Sequence, residues 1–232
     1  MAYTKRLLIS GVTGNIGQAL TQIACKQDWQ ITGVARHASP HISPNISMWS
    51  LNLTDWDTTR SWVQIQEPFD LVVVAHGIQQ PNWLLELTEP SYLNVTKNNL
   101  DSAVSLTCAL IQQYKLKPNA LIIYCSSLQA ATPRVGRGAY AIAKAGLEAL
   151  ARVVAVELAP NRRAIALRLG QLTTPMQGIQ FAPFEQLSLQ QRALVSWVTP
   201  KDVAKLCLDL YWQKSMTGCV IDLDSGQGRN VW

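Results

Sequence analysis

Paired cysteines, clustered histidines and long apolar runs are all missing from this chain of 232 residues. The five cysteines (Cys25, Cys108, Cys125, Cys207 and Cys219) are scattered, odd in number and never in a C-x-x-C pair. Neither a disulfide framework nor a zinc site is expected from them, and they read as reduced, buried thiols. Of the three histidines only His37 and His41 lie four apart, and Pro40 and Pro44 argue against a shared helical face, so no metal site is expected. The longest apolar runs, such as 71–75 and 120–125, have strand length, far from the roughly 20 residues of a membrane span. The apolar part of the first residues stops at Ser10-Gly11, short of a signal-peptide core. A soluble, cytoplasmic protein with no membrane partner is expected. Charge is also scarce: 15% of residues are charged against 48% hydrophobic, with mean hydropathy +0.05. That balance excludes a disordered or solvating chain, and the length suits one domain over 1–232 with a well-buried core.

What charge there is lies unevenly. Residues 1–114 carry six Lys/Arg against eight Asp/Glu, residues 115–168 nine against two, and residues 169–232 five against five. The net charge of +5 therefore belongs to one central stretch. It contains no nucleic-acid motif and no aromatic-interleaved basic run, so no nucleic-acid partner is expected, and a site for small anions accounts for the excess.

Strand-length apolar runs at 6–10, 30–35, 47–51, 70–75, 120–125, 164–168 and 219–223 alternate with helical patterns at 17–26, 92–114, 140–158 and 200–211. That rhythm predicts an α/β fold of the Rossmann type, a three-layer αβα sandwich around a mostly parallel, seven-stranded sheet. The irregular stretch at about 171–198 is the one place for a substrate lid.

Gly11-Val12-Thr13-Gly14-Asn15-Ile16-Gly17 joins the first strand to the first helix. Glycines there allow a tight turn and close backbone approach, and a helix N-terminus offers N–H groups to a pyrophosphate. The G-x-x-G-x-x-G spacing is common in turns generally; its place between strand and helix is what makes it a dinucleotide signal. After the second strand the chain reads Val34-Ala35-Arg36-His37, with no acid to accept from a ribose 2′-hydroxyl. A cation there suits a 2′-phosphate, so NADP(H) is favoured as cofactor with NAD(H) as the alternative. An exposed arginine at a strand end is the plainer reading of Arg36 alone.

Tyr140-Ala-Ile-Ala-Lys144 places a phenol and an ammonium on one helical face, one turn apart. The cation is expected to lower the tyrosine pKa from its usual ~10 and make the phenol a usable acid or base. By itself Y-x-x-x-K is an ordinary surface pair. Its companions change that: Ser127 closes the fifth strand thirteen residues before Tyr140, and Asn99 lies in the preceding helical segment.

Together these segments resemble the short-chain dehydrogenase/reductase family, classical type, along nearly the whole chain. The match includes the glycine loop, Leu51-Asn52-Leu53-Thr54-Asp55, Ala75-His76-Gly77, Asn99, Ser127, Tyr140/Lys144, Leu169-Gly170, Thr199-Pro200 and Thr217-Gly218. The resemblance implies an NADP(H)-dependent oxidoreductase that interconverts a carbonyl and a secondary alcohol on a small or medium organic substrate. It further implies Tyr140 as acid/base, Lys144 on the nicotinamide ribose, Ser127 on the substrate oxygen and Asn99 on a relay water. Cofactor contacts are implied for Gly11, Thr13, Gly14, Asn15, Ile16, Gly17, Arg36, Asn52, Leu53, Ala75, Gly77, Leu172 and Thr174. Three departures stand out: Asn15 where the family's loop has a glycine, Asn52 where an aspartate is common, and Val74-Ala75-His76-Gly77 in place of Asn-Asn-Ala-Gly. None removes a catalytic group.

Two other readings use the same fold: a non-redox, cofactor-sensing regulator, and an isomerase or dehydratase using the same tyrosine. The family resemblance also implies a homodimer or homotetramer, and the small apolar residues of 143–156 suit burial on two sides. Arg134 and Arg137, between Ser127 and Tyr140, are candidates for an anionic substrate group, with Phe181 and Phe184 of the lid over its apolar part. Eight tryptophans, among them Trp83, Trp197, Trp212 and Trp232, are enough to line a site or an interface, with core packing as the plainer role.

Overall fold

The computed structural model describes residues 4–37, 46–173, 193, 194 and 196–227. Seven strands, β1 (Arg6–Ser10), β2 (Gln30–Ala35), β3 (Ile46–Ser50), β4 (Phe69–Val74), β5 (Leu116–Ser127), β6 (Arg163–Leu169) and β7 (Val220–Leu223), form one sheet. All pair in parallel, in the order β3-β2-β1-β4-β5-β6-β7. Among the described residues the helices are α1 (Asn15–Cys25), α2 (Trp56–Gln64), α3 (Glu89–Thr96), α4 (Ser102–Gln112), α5 (Gly138–Glu157) and α6 (Pro200–Trp212).

The two faces of the sheet are covered by different helices, which is why the central strands read as unbroken apolar runs. In β4 every residue is buried; Leu71 and Val73 face α1 and α6, while Val72 and Val74 face α2, α4 and α5. The same alternation places Leu7 and Ile9 of β1 on the α1/α6 side and Leu8 on the other. Each fully buried side chain of this size contributes about 1.5–3 kcal/mol of apolar transfer. Because β1 lies between β2 and β4, strand order reverses there and a crevice opens beyond the C-terminal ends of β1 and β4.

Local chemistry sets the helix starts. The Asp55 carboxylate caps α2 by accepting from the Thr58 N–H, and capping boxes open α3 (Thr88 with Ser91) and α6 (Thr199 with Asp202). The structure departs from the sequence expectation in four places. Helix α2 was not anticipated. The single helix expected over 92–114 is α3 and α4 joined by a π-helical turn, Lys97–Asp101. Strand β5 starts at Leu116 rather than 120, with a register shift between Phe69 and Leu71 of its partner and Asn119 in the left-handed region at φ 62°. Helix α1 begins two residues earlier than expected, at Asn15. Most of the candidate lid, with Thr174, Phe181 and Phe184, lies outside the described residues, as do His41 and Trp232. No helix among the described residues is long and apolar enough to cross a membrane.

Candidate active site

The glycine loop shapes one end of the site. Gly11 has φ +75°, and a Cβ there would stand 2.8 Å from backbone atoms of His76, so no other residue fits without moving β4's exit. Gly17 is closed in by the carbonyl of Gly11 and the backbone of Val12, which lets α1 sit directly against the loop. Gly14, the N-cap of α1, brings no capping side chain, and the first turn has no acid. A helix start of this kind, with no capping side chain and no acid, suits an anion.

From this loop a cleft of about 1030 Å³ runs across the C-terminal ends of the strands. Gly11, Thr13, Gly14, Asn15 and Ile16 line it near α1, then Arg36, Asn52 and Leu53, then Ala75 and Gly77. Ser127, Tyr140, Lys144 and Leu172 line its other part. Two expected residues stand behind the wall: Gly17, which packs α1, and Asn99, which is fully buried. Among the described residues the Arg36 guanidinium donates a long 3.5 Å hydrogen bond to Asn98 Oδ1, a weak contact at the limit of hydrogen-bond distance.

Three elements deliver the reacting groups. Ser127 is the last residue of β5, and its Oγ accepts from the Gln129 N–H at 3.2 Å. Tyr140 and Lys144 are buried on the first turns of α5, and Tyr140 lines the same cleft as Ser127, close enough for the serine to favour the ionised phenol. Lys144 Nζ donates to the Cys125 carbonyl at 2.8 Å and lies 5.5 Å from the centre of the Tyr140 ring. Asn99 belongs to the π-helical turn, where an extra residue per turn swings a side chain out of the helix's regular register. Its Nδ2 donates to the carbonyls of Ile78 and Val95, both at 2.8 Å, while its buried Oδ1 has no hydrogen-bond partner. A Cβ on Gly77 would overlap that Oδ1 and come within 3.5 Å of Lys144 Nζ. The open acceptor, the glycine and the ammonium therefore converge on one polar gap.

One expectation is reversed. Tyr140 is not lowered towards neutrality: burial pushes its phenol up to about 12, against the nearby Ser127 hydroxyl and the charge of Arg137. Burial likewise brings the Lys144 ammonium down to about 8. For both groups burial is the largest cause: it outweighs Ser127 and Arg137 at the phenol and Cys125 at the ammonium. The result is a phenol that holds its proton at neutral pH.

Two supporting networks carried little sequence signal. Glu148, one turn beyond Lys144, accepts from Ser126 Oγ at 2.9 Å and from Arg168 Nε and Nη2 at 2.9 and 2.7 Å. This buried pairing ties α5 to the ends of β5 and β6 and so holds Ser127 and Tyr140 in register. His76 spans Ser10 Oγ and Ser102 Oγ, each at 2.7 Å, joining β1 to the start of α4 behind Gly11. Burial, then the charges of Lys144 and Arg36, bring its pKa down to about 3, so the ring is neutral, donating one of these bonds and accepting the other.

The sequence profile described as enoyl-(acyl carrier protein) reductase matches residues 12–227. The chain belongs to the short-chain dehydrogenase/reductase family. It is 26% identical over 240 residues to the 3-oxoacyl-[acyl-carrier-protein] reductase FabG of Thermotoga maritima, covering 96% of this chain and 97% of that protein. With the FabG of Chlamydia pneumoniae it shares 29% identity over 174 residues, 73% of this chain and 70% of the relative. A short-chain dehydrogenase family protein of Francisella tularensis has the same fold, with TM-score 0.86, 20% identity, and 97% and 99% of the two chains covered. Family membership supports an oxidoreductase and implies a nicotinamide dinucleotide, NAD or NADP, as its cofactor.

Proposed function

We propose that this short-chain dehydrogenase/reductase is an NADPH-dependent carbonyl reductase acting through Ser127, Tyr140, Lys144 and Asn99. The observation that carries the reading is the pair of hydroxyls, Ser127 and Tyr140, both lining a dinucleotide-sized cleft with a buried ammonium behind them. Two donors in one cleft suit a carbonyl oxygen, whose developing negative charge they stabilise.

The nicotinamide dinucleotide supplies hydride when bound. Gly11, Gly14 and the N-terminus of α1 would hold its diphosphate, and Ala75 and Gly77 would line the part of the cleft taken by its sugar. Ser127 orients the substrate oxygen. Tyr140 Oη gives up its proton to that oxygen as the alkoxide forms, and a phenol that is neutral at pH 7 is in the right state to do so. Lys144 holds the ribose hydroxyls and stabilises the tyrosinate left behind. Asn99 Oδ1, open at the polar gap, anchors the water through which Tyr140 is reprotonated. The names of the relatives favour a 3-oxoacyl thioester as one substrate to try, and NADPH oxidation with alcohol identified as product tests the reading.

The NADPH preference rests on Arg36 and on the absence of any Asp or Glu among the described residues lining the cleft. A guanidinium–phosphate contact contributes roughly 1.5–3 kcal/mol. Arg36→Ala is expected to shrink the NADPH/NADH ratio of kcat/KM by about ten- to a hundredfold, chiefly by weakening NADPH. Equal use of both cofactors by the unmutated enzyme would discard the preference.

A homodimer or homotetramer is the second part of the proposal. Trp56, Ile142, Val153 and Val156 leave an exposed apolar face along α2 and α5, more than a lone surface side chain needs. Light scattering on the purified protein is expected to give twice or four times the 25.6 kDa chain mass, and Val153→Glu to halve it or more. A monomer would remove this part.

A further inference from the structure

Building on the carbonyl-reductase reading, we infer that the substrate is itself an acid: a carbonyl compound that carries its own carboxylate or phosphate beside an apolar body. The charge of the cleft is the first ground. Its charged lining residues are Arg36, Arg134, Arg137 and Lys144, with no Asp or Glu among the described ones. Arg36 lies by Asn52 at the adenosine end, and Lys144 sits behind Tyr140. Arg134 and Arg137 line the cleft on the segment that joins Ser127 to Tyr140, where the substrate would lie. Arg134 is exposed and Arg137 half-buried, and positive charge lining a concave cleft draws an oxyanion towards it.

Geometry is the second ground. Arg137 is the N-cap residue of α5, and its charge acts on the Tyr140 phenol, so the guanidinium stands within electrostatic reach of the proton donor. An oxyanion held there lies close to the reacting carbonyl. The segment is also pinned in place before any substrate arrives. The Arg134 N–H donates to Gln129 Oε1 at 2.8 Å, the Arg137 N–H to the Arg134 carbonyl at 3.1 Å, and the Asn82 N–H to the Gly136 carbonyl at 3.1 Å. A binding loop fixed in this way loses little entropy on capture.

The apolar half of the inference comes from the same rim. Trp83 and Val135 both line the cleft yet are 59% and 73% exposed, and the exposed Leu84, next to Trp83 in the chain, lies against Gly138. Such side chains at a cleft mouth gain from covering an apolar substrate segment. Two guanidinium groups next to this wall select an amphipathic acid over a neutral ketone or a highly hydroxylated one.

The test is steady-state kinetics at saturating NADPH on two matched pairs. One pair is an oxo acid with an alkyl or aryl tail and its methyl ester; the other is a phosphorylated hydroxyketone and its dephosphorylated form. The acid is expected to exceed its neutral partner in kcat/KM by at least about tenfold in one pair, and the pair showing it identifies carboxylate or phosphate. Arg134→Gln and Arg137→Gln should each reduce that ratio by about tenfold. In the direction of alcohol oxidation, Arg137→Gln should also move the rise of activity to higher pH, whereas Arg134→Gln should leave it in place. Retention of the ratio by both variants, or equal use of acid and neutral partner by the unmutated enzyme, overturns the inference while leaving carbonyl reduction standing. Failure to reduce any member of either pair, or any other carbonyl compound, overturns both.

Discussion

Replacing Tyr140 by Phe is expected to lower kcat by about two to four orders of magnitude, the range supplied by a positioned general acid. The ring packs as before, so NADPH affinity and thermal stability should stay close to those of the unmutated protein. The pH dependence follows from the raised phenol. With its pKa up at about 12, Tyr140 carries its proton throughout the neutral range, so carbonyl reduction should be insensitive to this group between pH 6 and 9. Alcohol oxidation needs the tyrosinate and should rise with pH across the same range. Cofactor titration by fluorescence, beside turnover in both directions, checks all three parts. A Phe variant that keeps most of its activity would remove Tyr140 from the mechanism.

Lys144→Met is expected to reduce activity at least as much, and here cofactor affinity should fall as well. The variant keeps the side chain's length and removes the charge. Its effect on stability should run the other way. Folding carries the ammonium from water to a buried site where its pKa is about 8, below its ordinary 10.5, so the folded state binds this proton less tightly than the unfolded chain. Below pH 8 both states are protonated and burial of the charge costs on the order of 3 kcal/mol, less what the Cys125 carbonyl returns. Between pH 8 and 10.5 the folded state sheds the proton first, and the unmutated protein recovers stability relative to Lys144→Met. Denaturant unfolding of both proteins at pH 7 and pH 10 measures this. A gap between them that does not change with pH would mean that the lysine is not buried as described.

The sheet and the Tyr140/Lys144 pair were legible in the sequence because both are local patterns: continuous apolar runs for strands covered on both faces, and an i, i+4 pair on one helix. Helix α2 was not, since only Thr59, Trp62 and Val63 of its nine residues are buried, too few to show a helical period. The break at Lys97–Asp101 was equally silent. A π turn alters backbone pairing without altering composition, and yet it is what aims Asn99 at the gap behind Gly77. The direction of the Tyr140 shift was missed because burial depends on how tightly α5 closes on β5, a property of the packed structure. Glu148 carried no signal of its own, because its partner Arg168 is 20 residues away in the chain and is brought to it by β6. His76 offered a faint clue, a histidine ending an apolar strand just before a glycine, but its two serine partners are 66 and 26 residues away in the chain.

Turnover is the claim on which the rest depends. Purified protein mixed with NADPH and a panel of 3-oxoacyl thioesters, oxo acids and neutral ketones should consume NADPH and yield the corresponding alcohol in equal amount, and Tyr140→Phe should abolish both. Tight NADPH binding with no alcohol formed from any of these compounds would contradict the reductase reading and assign the intact cleft to a cofactor-sensing protein.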